Sequence, residues 1–260
     1  MYETLEIARD GGVATLWMNR PDVHNAFNEQ LIAELTAACR QLDADDTVRV
    51  VVLAGRGKSF SAGADLNWMK RAAAYDEERN REEARAMEAM FRAIDDCPKP
   101  VIAAVHGAAI GGGVGLVAAC DIAIAAQAAV FATSEVRLGI VPAVIAPFVI
   151  RAIGPRAARR YFLTAERFDA AEALRIGLVG RVVPHERLME EARALAGRIA
   201  ANPPLAVQAL KTGLARTAYG DPREIGGWAI DTIRRLARTD DHLEGVASYL
   251  EKRAPVFKGQ

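Results

Sequence analysis

The spacing of apolar and polar positions divides the chain into two parts of different character. Residues 5–8 and 13–18 are apolar-rich runs on either side of Asp10-Gly11-Gly12, a strong hairpin signal. Asn28 stands where it can cap a helix whose apolar positions Leu31, Ile32, Leu35, Ala38 and Leu42 follow the helical period. Residues 48–53 are rich in β-branched side chains and broken only by Arg49, which predicts a largely buried strand. The small residues Ser59-Phe60-Ser61-Ala62-Gly63-Ala64 follow as a loop. A charged helix is expected over residues 77–94, with an apolar stripe at Ala84, Met87, Phe91 and Ile94. Residues 101–105 predict a second buried strand, which leaves through His106-Gly107 towards Gly111-Gly112-Gly113. A short helix over 116–119 and a third strand over 121–125 complete the series. Strand, helix, strand and loop recur in order, the pattern of an α/β fold with largely parallel sheets.

The pattern changes after about residue 142. Strand-like runs nearly vanish, and helical segments are expected over 155–163, 170–175 and 186–200, then over 204–217, 222–237 and 240–252. Asn202-Pro203-Pro204 and Gly220-Asp221-Pro222 are the clearest breaks. The expected organisation is an α/β core over residues 1–200 that carries the active site, followed by a helical appendage over 201–260.

Composition narrows the function classes. With 51% hydrophobic and 25% charged residues, the 260-residue chain has enough apolar material for a substantial core. Its 33 basic and 33 acidic residues cancel, which argues against a nucleic-acid partner but leaves a small anionic ligand open. Cys39, Cys97 and Cys120 are odd in number and lack CxxC spacing, so neither a disulfide framework nor a zinc site is expected, and a reducing cytoplasmic setting is the simplest one. The first ten residues have no basic start followed by an apolar run, so no secretory signal is expected. The longest small or apolar stretch, residues 101–126, contains His106, five glycines and Asp121, and is not read as a membrane span.

Several motifs fail on spacing. Gly57-Lys58-Ser59 ends like a phosphate-binding loop, but Val52 stands where that motif needs a glycine. Gly111-Gly112-Gly113-Val114-Gly115 lacks GxGxxG spacing. No GxSxG elbow supplies a serine nucleophile, and His24, His106, His185 and His242 show no metal-binding pairing.

Two loops remain, at residues 59–64 and 107–113, each entered from a buried strand and built mainly of residues with almost no side chain. Small residues permit close backbone approach, and the first N–H groups of a helix are unpaired and partly positive. Two such donors converging on one point would form an oxyanion hole; the same glycines equally suit tight helix–strand packing.

The residues also resemble a family. Phe60-Ser61-Ala62-Gly63-Ala64-Asp65-Leu66 and Ala104-Val105-His106-Gly107-Ala108-Ala109-Ile110-Gly111-Gly112-Gly113 resemble the two signature segments of the enoyl-CoA hydratase/isomerase (crotonase) superfamily. Leu16-Trp17-Met18-Asn19-Arg20-Pro21 with Asn25-Ala26-Phe27 is similar to its N-terminal signature. Asp121-Ile122-Ala123-Ile124-Ala125, Leu138-Gly139-Ile140-Val141-Pro142 and Tyr249-Leu250-Glu251-Lys252-Arg253 fit as well, so the resemblance spans nearly the whole chain. It implies a spiral of ββα turns followed by helices that build a homotrimer, commonly doubled to a homohexamer. It implies an acyl-CoA substrate and no separate cofactor, coenzyme A being part of the substrate. The oxyanion donors would be the N–H groups of Ala64 and Gly112. Coenzyme A would lie along Val23, Ala26, Ala62, Asp65 and Leu66, with Tyr249 and Lys252 reaching it, often from a neighbouring subunit.

Family hydratases commonly use two glutamates. Here the first position is Gly115, and the second is Glu135 in Ser134-Glu135-Val136-Arg137. By the resemblance Glu135 carries proton transfer, and apolar neighbours such as Phe131, Val136 and Leu138 would raise its pKa. Read without the family, it is a surface glutamate paired with Arg137. One glutamate beside an oxyanion hole suffices to shuttle a proton between two carbons of an enolate.

The segment Ala143-Val144-Ile145-Ala146-Pro147-Phe148-Val149-Ile150, with Gly115 and Ala157-Ala158-Arg159-Arg160-Tyr161, resembles the branch that hydrates methylglutaconyl-CoA and isohexenylglutaconyl-CoA in leucine and acyclic terpene breakdown. Their distal carboxylate could pair with an arginine such as Arg137. The leading expectation is therefore a cofactor-independent enoyl-CoA hydratase for a branched or carboxylated acyl group. An enoyl-CoA isomerase using Glu135 alone and a non-catalytic acyl-CoA-binding subunit are the alternatives.

Overall fold

The computed structural model describes residues 2–260. Gly11-Gly12 forms the turn between β1 (Leu5–Asp10) and β2 (Val13–Met18), which pair antiparallel from Leu5↔Met18 to Asp10↔Val13. Asn28 caps α1 (Glu29–Asp43) by accepting the Leu31 N–H at 2.9 Å, and Leu31, Ile32, Leu35, Ala38 and Leu42 are all buried. β3 (Val50–Gly55) is buried throughout and runs parallel to β2. Asp65 caps α2 (Leu66–Ala72), and Asp76 caps α3 (Glu77–Asp95). Met90, Phe91 and Ile94 are the buried residues of α3. Ala84, expected on that stripe, is exposed, because only the C-terminal half of this highly charged helix packs on the core.

β4 (Val101–Val105), β5 (Ala108–Ile110), α4 (Gly112–Ala119), β6 (Ile122–Ala126) and β7 (Val130–Ala132) follow. A 3-10 turn over Glu135–Leu138 leads to α5 (Ala146–Thr164), which is broken at Gly154. The remaining elements are β8 (Phe168–Asp169), α6 (Ala170–Arg175), β9 (Arg181–Val183), α7 (Leu188–Ala200), α8 (Pro204–Tyr219), α9 (Pro222–Leu236) and α10 (Asp240–Glu251). The first half of α5 is unannounced in the sequence because Pro147 and Gly154 punctuate it; a proline in the first turn nonetheless suits a helix start.

Successive strands alternate between two stacks. The first is a six-stranded sheet in the order β1-β2-β3-β4-β6-β9, parallel except for the β1 edge. The second is made of short pieces: the bridges Phe27↔Ala64 and Ser61↔Ala109, then β5 parallel to β7 and β7 antiparallel to β8. Each circuit thus places one segment in each stack before a helix returns the chain, which is the expected α/β spiral of ββα turns.

The large sheet is covered on both faces, as parallel sheets require. Val51, Leu53, Val101, Ala103, Val105, Ala123 and Ala125 face the main core with α1, α3 and α4. Val50, Val52, Ala54, Ile102, Ala104, Ile124 and Ala126 face Leu188, Ala192 and Ala196 of α7. Among the described residues neither core includes one from α8–α10. Polar ties hold the C-terminal segment in place: Lys211 pairs with Asp121 at 2.7 Å, and Arg49 donates to the carbonyls of Ala200 and Phe257 at 3.0 and 2.5 Å. Leu210, Leu214, Ile230, Ile233, Leu243 and Leu250 of these helices are exposed. Among the described residues no helix is long and apolar enough to cross a membrane.

Gly107 joins the two stacks between β4 and β5 at φ +57°, where a Cβ would stand 2.0 Å from the Lys58 carbonyl oxygen. Gly107→Ala should therefore lower the unfolding free energy by at least about 1–3 kcal/mol in a denaturant titration; a neutral substitution would show that this crossing is not tightly held.

Candidate active site

The two small-residue loops meet where the stacks cross. Ser61 donates its N–H to the Ala108 carbonyl at 3.0 Å, and Ile110 returns one to the Ser61 carbonyl at 2.9 Å. A Cβ on Gly63 would lie 2.5 Å from the Ile110 carbonyl oxygen and 3.2 Å from the Gly112 nitrogen, so only glycine permits this approach. Gly112 opens α4, and a Cβ there would strike the Phe27 ring at 2.5 Å.

The hydrogen-bond pattern of the first loop leaves one N–H over. Those of Ala62 and Asp65 go to the carbonyls of His24 and Phe27, and that of Gly63 goes to the Ser61 hydroxyl. The Ala64 N–H has no protein acceptor among the described residues. In the second loop Gly111 donates to the Ala132 carbonyl at 2.7 Å, while Gly112, at the first position of α4, has no acceptor either. Two unpaired donors beside each other can hold a negative oxygen.

Glu135 faces them at the start of its 3-10 turn. A Cβ on Gly111 would be 3.1 Å from Glu135 Oε1, and Oε2 is buried with no hydrogen-bond partner among the described residues. Burial pushes the carboxyl above the ordinary carboxylate range, against a smaller opposing pull from its own backbone N–H. The alternative of a surface glutamate paired with Arg137 is not what the structure shows: Glu135 is half-buried, and the exposed Arg137 makes no ion pair with it among the described residues. The expected apolar neighbours contribute unevenly. Phe131 is buried against Phe168, whereas Val136 and Leu138 are largely exposed.

Gly115 is closed to a second carboxylate. A Cβ there would lie 2.4 Å from Ile145 Cγ2 and 2.9 Å from Phe91 Cε1. Ile145 and Phe91 are both buried, and Phe91 packs between Phe27 and Phe148. The room a glutamate would need is filled by hydrocarbon.

Ala64, Gly112 and Glu135 line one cavity of about 560 Å³, together with Val23, Ala26, Ala62, Asp65 and Leu66. Asp65 is turned away from chemistry by its partners. Burial works against its ionisation, but the N–H groups of Asn67 and Trp68 and the Arg20 guanidinium at 3.1 Å prevail and hold its carboxyl below the usual range. Tyr249 and Lys252 do not line this cavity within the chain, and Tyr249 is 84% exposed at the end of α10. Met87 packs against the core as its place on the stripe predicts and also lines the cavity, as do Met69, Val141 and Ile145. Of Met69 and Met87 only the apolar character is visible in the sequence.

A family model described as enoyl-CoA hydratase/isomerase matches residues 8–260. The chain belongs to the enoyl-CoA hydratase/isomerase family. Crotonyl-CoA hydratase of Syntrophomonas wolfei is 36% identical over 258 residues, 98% of each chain. 2,3-Dehydroadipyl-CoA hydratase of Escherichia coli is 34% identical over 98% of this chain and 99% of that one. The crystal structure of an enoyl-CoA hydratase from Bacillus anthracis superposes with a TM-score of 0.94 at 32% identity, covering 99% of this chain and 100% of the other. The spiral is the crotonase fold of that family.

Because the folded protein raises the Glu135 pKa, the stability linked to its neutral form is complete below the ordinary carboxylate value and is lost as pH rises through the raised value. Glu135→Gln should therefore melt above the wild type at about pH 7.5, with the gap closing as pH falls through the ordinary carboxylate range. A gap independent of pH in thermal melts would show that the carboxylate is not strained by burial.

Proposed function

We propose that the protein is an enoyl-CoA hydratase. The observation that carries this reading is one cavity holding two unpaired N–H groups and a buried carboxylate oxygen without a partner. The thioester oxygen of a 2-enoyl-CoA accepts hydrogen bonds from Ala64 and Gly112. Ionised Glu135 takes a proton from water as the water oxygen bonds to C3, and the C2–C3 π electrons move onto the thioester as an enolate. Neutral Glu135 then returns the proton to C2, which restores the enzyme and adds one water overall. Coenzyme A lies along Val23, Ala26, Ala62, Asp65 and Leu66. Tyr249 and Lys252 reach it from a neighbouring copy in a homotrimer or homohexamer assembled through the exposed apolar side chains of α8–α10.

For the acyl group, the resemblance favours a branched, carboxylated chain such as 3-methylglutaconyl. The apolar residues Met69, Met87, Val141 and Ile145 suit the branch. No Lys or Arg lines the cavity among the described residues, so a cation for the carboxylate would come from outside this wall.

The filled space at Gly115 favours a second reading, an enoyl-CoA isomerase in which Glu135 carries a proton from C2 to C4. Crotonyl-CoA, 3-methylglutaconyl-CoA and a 3-enoyl-CoA, followed by mass spectrometry, separate the two. A product heavier by one water is expected. Isomerised product of unchanged mass would favour the second reading, and tight binding without turnover would mark a non-catalytic acyl-CoA-binding subunit. Glu135→Gln should lower kcat by about 10²–10⁴-fold while acyl-CoA affinity is retained; undiminished turnover would remove Glu135 from the chemistry. In the wild type, kcat/KM should fall as pH drops through the raised Glu135 pKa, since the base must be ionised to accept the proton.

A further inference from the structure

Asn25 is fully buried and is not among the residues that line the cavity, yet its two neighbours His24 and Ala26 are. Its backbone is left-handed at φ +53°, a region asparagine tolerates better than most residues. Every polar atom of its side chain is engaged. Oδ1 accepts the Arg20 N–H at 2.8 Å, and Nδ2 donates to the carbonyls of Arg56 at 2.9 Å and Ser59 at 2.8 Å. Its own carbonyl accepts the Ser61 hydroxyl at 2.9 Å, and the same hydroxyl oxygen accepts the Gly63 N–H at 3.2 Å.

These bonds join the segment after β2 to both ends of the loop that follows β3. On either side of Asn25, His24 accepts the Ala62 N–H, and Phe27 exchanges hydrogen bonds with Gly63 and Asp65. Arg20, whose N–H Asn25 holds, pairs through its guanidinium with Asp65. Residues 61, 62, 63 and 65 are therefore all fixed from one segment, and the peptide left with a spare N–H is that of Ala64. We infer that Asn25 is a positioning residue that aims the Ala64 N–H at the thioester oxygen without touching the substrate. Its carboxamide is needed as such: Asn25→Asp would set a carboxylate oxygen against the carbonyls of Arg56 and Ser59, and Asn25→Ala would leave one buried and two partly buried backbone groups without this partner.

This inference rests on the thioester reading above, so its test reads carbonyl polarisation separately from turnover. Crotonyl-CoA carrying ¹³C at the thioester carbonyl is bound to Glu135→Gln protein, and the carbonyl stretch is followed by infrared difference spectroscopy. Glu135→Gln alone should shift the band to lower frequency than in free ligand, and adding Asn25→Ala or Asn25→Asp should return most of that shift. Dissociation constants should move much less, and in the Glu135 background kcat should fall about 10²-fold with the shape of the pH profile unchanged. Ser61→Ala, which removes the hydroxyl between Asn25 and Gly63, should act in the same direction and decides the matter if the Asn25 variants do not fold. An unchanged band with unchanged kcat, or a loss of affinity that accounts for the whole loss of rate, would overturn the role of Asn25. No band shift in Glu135→Gln protein itself would instead defeat the oxyanion-hole reading.

Discussion

Two backbone N–H groups, on Ala64 and Gly112, have no protein acceptor among the described residues where two glycine-bearing loops touch, and much of the architecture serves to keep them so. Leaving such groups unpaired is unfavourable unless the surroundings prevent the loops from rearranging to pair them. Here the prevention is topological. The loops leave adjacent parallel strands, β3 and β4, of a sheet buried on both faces, and each is bridged at once to the next layer of the second stack. Helix α4 begins at Gly112 because the strand before it ends there, which directs its unpaired first N–H into the cavity. The Phe27 ring packed on Gly112 and the Gly63 contact with Ile110 leave no room for either loop to relax towards the other.

With the oxygen-binding point set by backbone, the choice of reaction falls to side chains, and among those lining the cavity Glu135 is the carboxylate that faces Gly111 at the mouth of the second loop. Glu135 is half-buried, with its Oε2 enclosed and without a partner among the described residues, while the carboxylate of Asp65 is committed to Arg20 and to the cap of α2. The absence of a side chain at Gly115 is not a gap, since Ile145 and Phe91 occupy that space. In the proposed hydration both proton transfers pass through Glu135, which must be ionised to accept a proton and neutral to return it. A pKa raised by burial brings those two states closer in free energy at neutral pH.

What could be read in the sequence follows from how much local pattern each element carries. The hairpin at Gly11, the Asn28 cap, the buried strands and the three C-terminal helices each have their own signal, and they stand within a few residues of expectation. The second stack does not, because two- and three-residue strands such as β5, β7 and β8 have no period to detect. The same limit applies at the cavity. Ala64, Gly112 and Glu135 were legible through motifs, but the packing of Ile145 on Gly115 joins residues that no spacing relates. Met87 shows the ambiguity plainly, since an apolar position on a helix looks the same whether it faces a core or a substrate cavity. Tyr249 and Lys252, at the end of α10, are not among the residues that line the cavity, and no local pattern in the sequence relates α10 to it.

The most direct measurement is a crystal structure of the protein with a saturated acyl-CoA such as butyryl-CoA bound. The thioester oxygen should lie about 2.7–3.1 Å from both the Ala64 and the Gly112 nitrogen, with the Glu135 carboxylate beside C2 and C3. A thioester bound in the cavity with its oxygen turned away from both N–H groups would contradict that arrangement.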